Sequence, residues 1–246
     1  MLTDEQDAYG HEIYDYYRGK GGYEIVERED GYIDISSGPP LYFSDYRNWP
    51  PHLKKAMKFV HGRVLDIGCG AGRADLYLQK KGFDVTGIDN SPLAVLTAEK
   101  RGAKKVLLMP VSNLRFPRHS FGTILMLGNN FGLMGGRARG RRLLRRFYDL
   151  TDEAGVLIAE SGDPYCTDNS CHLEYHRFNR ERKRMPGQLR LRVRYQKYKT
   201  PWFDYLIVSR HEMEEMLTGT GWYVSRFLDS AGPPYVAIIK KSPERH

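Results

Sequence analysis

The stretch GRVLDIGCGAGR, Gly62 to Arg73, constrains this chain more than any other. A short apolar run, RVLDIG, leads into glycines spaced G-x-G-x-G at Gly68, Gly70 and Gly72, and GRADLYLQKKG follows with helical periodicity. A strand, a glycine turn and a helix in that order make a nucleotide site. Glycine lets the backbone approach a ligand, and the helix N-terminus favours negative charge. The spacing narrows the ligand. A dinucleotide fingerprint reads G-x-G-x-x-G, and here the third glycine comes one residue early. A phosphate loop needs G-K-[ST], whereas Gly72 is followed by Arg73 and Ala74. Asp66, two residues before Gly68, repels a pyrophosphate and suits a cation. Asp89, 23 residues further on at the end of FDVTGID, stands where a carboxylate accepts both hydroxyls of a ribose.

The pattern around this loop is regular. RVLDIG, FDVTGID, KVLLM, TILMLG and GVLIAE read as five strands. Helices separate most of them: GRADLYLQKKG closes at Gly82, and PLAVLTAEKRG starts with Ser91 as N-cap and Pro92 at its first position. A basic helix follows TILMLG, with Leu143, Leu144, Phe147 and Leu150 as its buried stripe. Strands alternating with helices imply a doubly wound α/β fold with a parallel sheet. Near the end, Ser209 and Glu212 form a capping box for HEMEEMLTGTG, and WYVSRFLDS and YVAIIKK make a hairpin across AGPP. That hairpin reverses the last strand of a mostly parallel, seven-stranded sheet. The expected organisation is one domain over 1–246. It has an N-terminal cap (1–48), a core (49–160), an insert after the fifth strand (161–208) and a C-terminal helix and hairpin (209–246).

A ligand with a ribose, a cation and no phosphate describes S-adenosylmethionine. VLDIGCGAGR followed by VTGIDNSP resembles the first two motifs of the class I S-adenosylmethionine-dependent methyltransferases, and the reversed terminal strand resembles the same Rossmann-like family. The resemblance implies roles position by position. Gly68, Cys69, Gly70, Gly72 and Arg73 form the loop on the methionyl part, Asp66 orients its amino group, Asp89 binds the ribose, and Asn90 lies beside the adenine. Pro110 stands where relatives carry an acid on the adenine amine, so those contacts fall to Val111 and Ser112. The fourth-strand motif begins Ser-Phe-Gly rather than Ser-Phe-Asp. Leu127 and Gly128, after the fourth strand, complete the expected cofactor set.

Ligands of open α/β sheets bind outside the carboxyl ends of the strands, which directs attention to LGNNFGLM and to the insert. Asn129 and Asn130 can orient an acceptor atom without acting as bases, or can simply serve a turn beside two glycines. The insert offers Tyr165, His172 and His176, and a histidine can take a proton as the methyl arrives. Those histidines can equally hydrogen-bond within the insert. Cys166, Cys171, His172 and His176 have the residue types of a zinc site, but adjacent Cys171 and His172 fit one tetrahedron poorly, and no metal is expected. Tyr42, Tyr46 and Trp49 either close over the cofactor or pack.

Composition bounds the rest. A chain of 246 residues, 41% hydrophobic and 28% charged, is that of a globular protein, and TILML and VLIA are too short to span a bilayer. Three cysteines and a polar, acidic N-terminus point to a cytoplasmic protein without a disulfide framework. The net charge of +8 concentrates in six arginines between Arg137 and Arg146 and in ten basic residues between Arg177 and Lys199. QLRLRVRYQKY alternates an apolar with a basic face, as a charged edge strand or as a wall for an anion. The resulting expectation is methyl transfer to an O, N or C atom of a small acceptor, with the basic surface favouring an anionic one. RNA is the alternative acceptor, and a non-catalytic nucleic-acid module or an aminopropyl transferase on the same fold are the other readings. Neither basic segment contains a recognised RNA-binding motif.

Overall fold

The computed structural model describes residues 2–36 and 38–243; residues 1 and 37 of the expected cap and the last three of the C-terminal segment lie outside the described residues. In chain order the elements are helix α1 (Ala8–Tyr17), strands β1 (Ile25–Arg28) and β2 (Ile33–Ile35), helices α2 (Pro40–Phe43) and α3 (Pro51–Ala56), then β3 (Val64–Ile67), α4 (Arg73–Lys80), β4 (Val85–Asp89), α5 (Pro92–Lys100) and β5 (Val106–Leu108). There follow β6 (Phe121–Met126), α6 (Arg137–Leu150), β7 (Thr151–Gly162), α7 (Ser170–Glu181), β8 (Gln188–Tyr195), β9 (Tyr198–Lys199), β10 (Phe203–Leu206), α8 (Arg210–Leu217), β11 (Trp222–Asp229) and β12 (Pro234–Lys241). The larger sheet has seven strands in the order β11-β12-β7-β6-β3-β4-β5, and a second sheet runs β10-β8-β1-β2 with β9 paired to β8.

The chain folds as two compact units, each drawn from three segments. The first holds the chain up to Trp49, Arg63–Arg115 and Arg190–Phe203. In it β3, β4 and β5 are parallel, with Val64 opposite Val85 and Gly87 opposite Val106. All of β3 and β4 is buried, as the continuous apolar runs require of a sheet covered on both faces. Ser91 caps α5 through Ala94 N at 3.0 Å, with Pro92 at the first helical position as the sequence predicts. Asp7 caps α1 at Gly10 N (3.1 Å) and with its other oxygen accepts from Leu93 N (3.0 Å), so one carboxylate fastens the starts of α1 and α5 together.

The sequence does not announce the β1–β2 hairpin, nor that the strand in QLRLRVRYQKY pairs with it. β1 pairs antiparallel with β8, Val26 opposite Val193, so β8 is an interior strand and not the expected charged edge. Its apolar alternation packs Val193 and Tyr195 against Ala8, with Val26 alongside. Its arginines meet Glu27: Arg192 Nε donates at 2.6 Å and Arg194 Nη1 at 2.8 Å.

The second unit holds Pro50–Gly62, Phe116–Leu189 and Asp204 onward. β6 and β7 are parallel, and β12 lies antiparallel to both β7 and β11, which is the reversed strand the hairpin predicts. Leu143, Leu144, Phe147 and Leu150 of α6 are buried, and Trp222 Nε1 donates to the Leu144 carbonyl at 2.8 Å. The Ser209–Glu212 capping box forms as expected.

Candidate functional site

Gly68, Gly70 and Gly72 have φ of 72°, 53° and 73°, the left-handed region that side chains disfavour. The turn is pinned to β4: the N–H groups of Gly68 and Cys69 both donate to the Ile88 carbonyl, at 2.9 and 3.1 Å. At Gly72 there is no room as well, since a Cβ there would sit 3.1 Å from the Ala98 Cβ. The loop is therefore held open by its backbone, and its glycines are needed for conformation and for space.

Asp89 ends β4, with one carboxylate oxygen accepting from Gly70 N at 3.0 Å and the other from Ser91 N at 3.0 Å. Burial pushes its pKa up and these two donors pull against that shift. Each oxygen keeps a further lone pair. Asp66 is 4% exposed, and burial raises its pKa to about 6. Its carboxyl lies hydrogen-bonded against that of Asp75 on α4, whose own pKa is raised by burial and by Asp66. Two buried carboxyls in contact cannot both ionise, so this pair carries a proton. Asp75 went unnoticed in the sequence, where it reads as an ordinary helix-N-terminal acid.

The other cofactor candidates of this unit separate into two kinds. Asn90 and Ser112 are exposed, and Val111–Asn113 forms one 3-10 turn. The Cys69 thiol instead points inward, packed with Val95, Ala98 and Val106, so only its backbone is available. Arg73 donates to the Leu41 carbonyl at 3.0 Å and lies over the Trp49 ring, which makes it a clamp on the N-terminal segment. Arg101 assists by donating to the carbonyls of Ala71 and Tyr42. Trp49 is 2% exposed and Tyr46 stacks on Tyr77 at 4.1 Å, so both are packing aromatics. Ile13, Ala71 and Ala94 form one buried cluster joined by Tyr9, Tyr42 and Phe43, which places the expected cap directly on the glycine loop.

In the second unit Leu127 is buried and Gly128 is exposed, with φ of 68° at Gly128 and 61° at Asn129. Gly128 N donates to Glu160 Oε2 at 2.6 Å, and the Asn129 carbonyl accepts from the Tyr205 hydroxyl at 2.6 Å. The Asn129 side-chain oxygen is buried without a partner. Glu160, at the end of β7, was not singled out in the sequence because a lone acid after an apolar strand carries no pattern. Tyr165 donates to Glu212 Oε1 at 2.8 Å, and burial followed by that carboxylate raises its pKa to about 12. It is thereby tied to the start of α8. His176 is buried and meets the Tyr165 ring edge-on at 5.9 Å, while His172 Nδ1 pairs with Thr167 Oγ1 at 3.1 Å. Cys166 and Cys171 are exposed and form no disulfide, and among the described residues no three His, Cys, Asp or Glu are grouped to hold a metal ion. The same residues include no helix long and apolar enough to cross a membrane.

Comparison with known proteins agrees with this geometry. Residues 64–155 match the family described as Methyltransferase domain. A methyltransferase of Geobacillus sp. is 27% identical over 133 residues, 50% of this chain and 53% of that protein. The 2-heptyl-1-hydroxyquinolin-4(1H)-one methyltransferase of Mycobacteroides abscessus is 36% identical over 72 residues, 27% of this chain and 32% of that protein. The chain thus spans about half the length of the first relative and a third of the second. In fold, it is similar to a methyltransferase from Bacteroides fragilis crystallised with S-adenosyl-L-homocysteine, with a TM-score of 0.84, 24% identity and 98% of each chain covered. The glycine turn, the two strand-end aspartates, the sheet order with its reversed strand and the domain matched over residues 64–155 all agree with a methyltransferase domain of Rossmann-like fold.

Proposed function

We propose that this protein transfers the methyl group of S-adenosylmethionine to an O, N or C atom of a small-molecule acceptor. The observation that carries the reading is Asp89, held at the end of β4 by two backbone N–H groups with lone pairs to spare, beside a turn whose glycines leave the backbone bare. When bound, the cofactor supplies a methyl already activated by a positive sulfonium, so the protein contributes alignment and exclusion of water. Asp89 accepts the ribose hydroxyls. The Gly68–Gly72 backbone approaches the methionyl part, and Asp66 faces its ammonium. Asn90, Val111 and Ser112 bound the adenine. In the second unit the unpartnered Asn129 oxygen is free to orient an acceptor donor atom, whereas Tyr165 is already bonded to Glu212 and His172 to Thr167. A small acceptor is supported by the relative named for a hydroxyquinolone, and by basic strand β8, whose Arg192 and Arg194 are engaged by Glu27.

Calorimetric titration with S-adenosylmethionine, S-adenosylhomocysteine and NADH tests the cofactor. Micromolar binding of the two adenosyl ligands and none of NADH is expected. Absence of binding by both adenosyl ligands refutes the reading.

A further inference from the structure

Helix α1 lies on the glycine loop through one face. A Cβ at Gly70 would come 3.5 Å from the Tyr9 hydroxyl and 3.9 Å from Ile13. Glu12, on the same turn of helix, is 1% exposed, and neither of its carboxylate oxygens has a hydrogen-bond partner. Glu24, just before β1, is 5% exposed, and its Oε2 is likewise unpartnered. The two carboxyls lie against each other. The backbone closes tightly over them, for a Cβ at Gly38 would come 2.7 Å from Glu12 Oε1. The Tyr9 and Tyr42 hydroxyls bond to each other and feel the Glu24 carboxyl, and Tyr42 also feels Glu12. Arg73 and Asp89 are the further charges that reach this group of side chains.

The Ser36 side chain hydrogen-bonds the Glu24 carboxyl, but no cation offsets either acid, and two apposed, buried carboxyls without a cation destabilise a fold where well-packed apolar residues would serve packing better. Their arrangement, acids with aromatic rings, is the chemistry that recognises an ammonium ion. We propose that Glu12 and Glu24, with the Tyr9 and Tyr42 hydroxyls, seat an ammonium group of the methyl acceptor beside the Gly70 turn. This rests on the methyl-transfer reading above and makes the acceptor an amine.

The same pair prepares the nucleophile. A protonated amine has no lone pair to attack with. One N–H bond breaks, its proton forms an O–H bond on the ionised carboxylate of the pair, and the electron pair stays on nitrogen. Burial, then Glu24, raise the Glu12 pKa to about 9, so the pair holds one proton before the amine arrives and only its ionised member accepts a second. The overall positive charge does not argue for an anion here, because Arg192 and Arg194 of β8 are engaged by Glu27.

The test compares charge at constant shape. Methylammonium, 2-phenylethylammonium, 2-phenylethanol and 3-phenylpropanoate are titrated into the full-length protein, with and without S-adenosylhomocysteine. Both ammonium probes should bind, 2-phenylethylammonium about tenfold or more tighter than the alcohol and the acid. The Glu12→Gln/Glu24→Gln double variant keeps both shapes, and its folding is checked by thermal unfolding. It should lose the preference while retaining affinity for S-adenosylhomocysteine within about twofold; Glu12→Gln alone provides the same readout should the double variant not fold. No cation preference in the wild-type protein overturns the proposal. So does a variant in which S-adenosylhomocysteine affinity falls about tenfold with the preference unchanged, since the pair then serves the cofactor's own ammonium. Failure of the wild-type protein to bind S-adenosylhomocysteine strikes the cofactor reading instead, and the titrations without it still decide the amine.

Discussion

Asp89 and Glu12 are both buried acids of the first unit, both close to the Gly70 turn, and their surroundings are opposite. Asp89 sits between two backbone N–H donors at 3.0 Å each. Glu12 lacks such a pair of amide donors and is apposed to another carboxyl, that of Glu24. A carboxylate wrapped in amides is ready to accept from neutral hydroxyls, because its charge is already stabilised. A carboxylate without donors is ready for a cation or a proton, because nothing else stabilises its charge. The protein thus presents two different reagents made of one functional group, and the difference lies in the backbone around them.

That contrast can be broken from either side. Asp89→Ala should have the largest effect: S-adenosylhomocysteine binding weakens by roughly 1–3 kcal/mol, and the Gly70 and Ser91 amides lose their acceptor, lowering unfolding free energy as well. Calorimetry and chemical denaturation read the two, and unchanged affinity would remove the ribose assignment. Gly72→Ala attacks the backbone that creates the Asp89 surroundings. Its left-handed φ and the 3.1 Å approach of Ala98 predict a loss of about 2 kcal/mol in urea unfolding. Glu12 is sharpened by pH. Its folded pKa, about 9, lies above the ordinary 4.5, so the folded state holds the proton more tightly. The stability it contributes is complete below about pH 4.5 and drains away as the pH rises through about 9. Glu12→Gln should flatten the fall of Tm over that window, and an unaltered slope would show that Glu12 is not the group titrating. Tyr205→Phe, which deletes the 2.6 Å bond to the Asn129 carbonyl, should cost least, about 1 kcal/mol in the same denaturation assay.

What could be read in the sequence follows the same division. The glycine turn, Asp66, Asp89, the Ser91 cap and the Ser209–Glu212 box are local devices, where a backbone conformation demands a residue type at a fixed offset. Each was legible for that reason, and so was the reversed β12. Glu12, Glu24 and Asp75 were not, because their character comes from burial against a second carboxyl, which no residue type or spacing announces. The alternation of β8 announced a strand but not its neighbours, and the short β1 that makes it interior has too few residues to show a period. Asn169 capping α7 was a local signal that the basic, aromatic composition of the insert obscured.

The pairing of β1 with β8 also sets an order of events. Glu27 and Arg192 are 165 residues apart, so the strand that carries Glu27 leaves the ribosome long before its partner exists. At synthesis rates of roughly 5–20 residues per second, that wait is about 10–30 s. The glycine turn and β4 emerge within the interval, so the turn exists as nascent chain before the strand that fixes its N-terminal cover. Closing so long a loop is slow compared with forming the local strand–helix units. The newborn chain therefore passes through a stage in which the turn is made and β1 still waits, unpaired on that side, for the last quarter of the sequence to bring its partner.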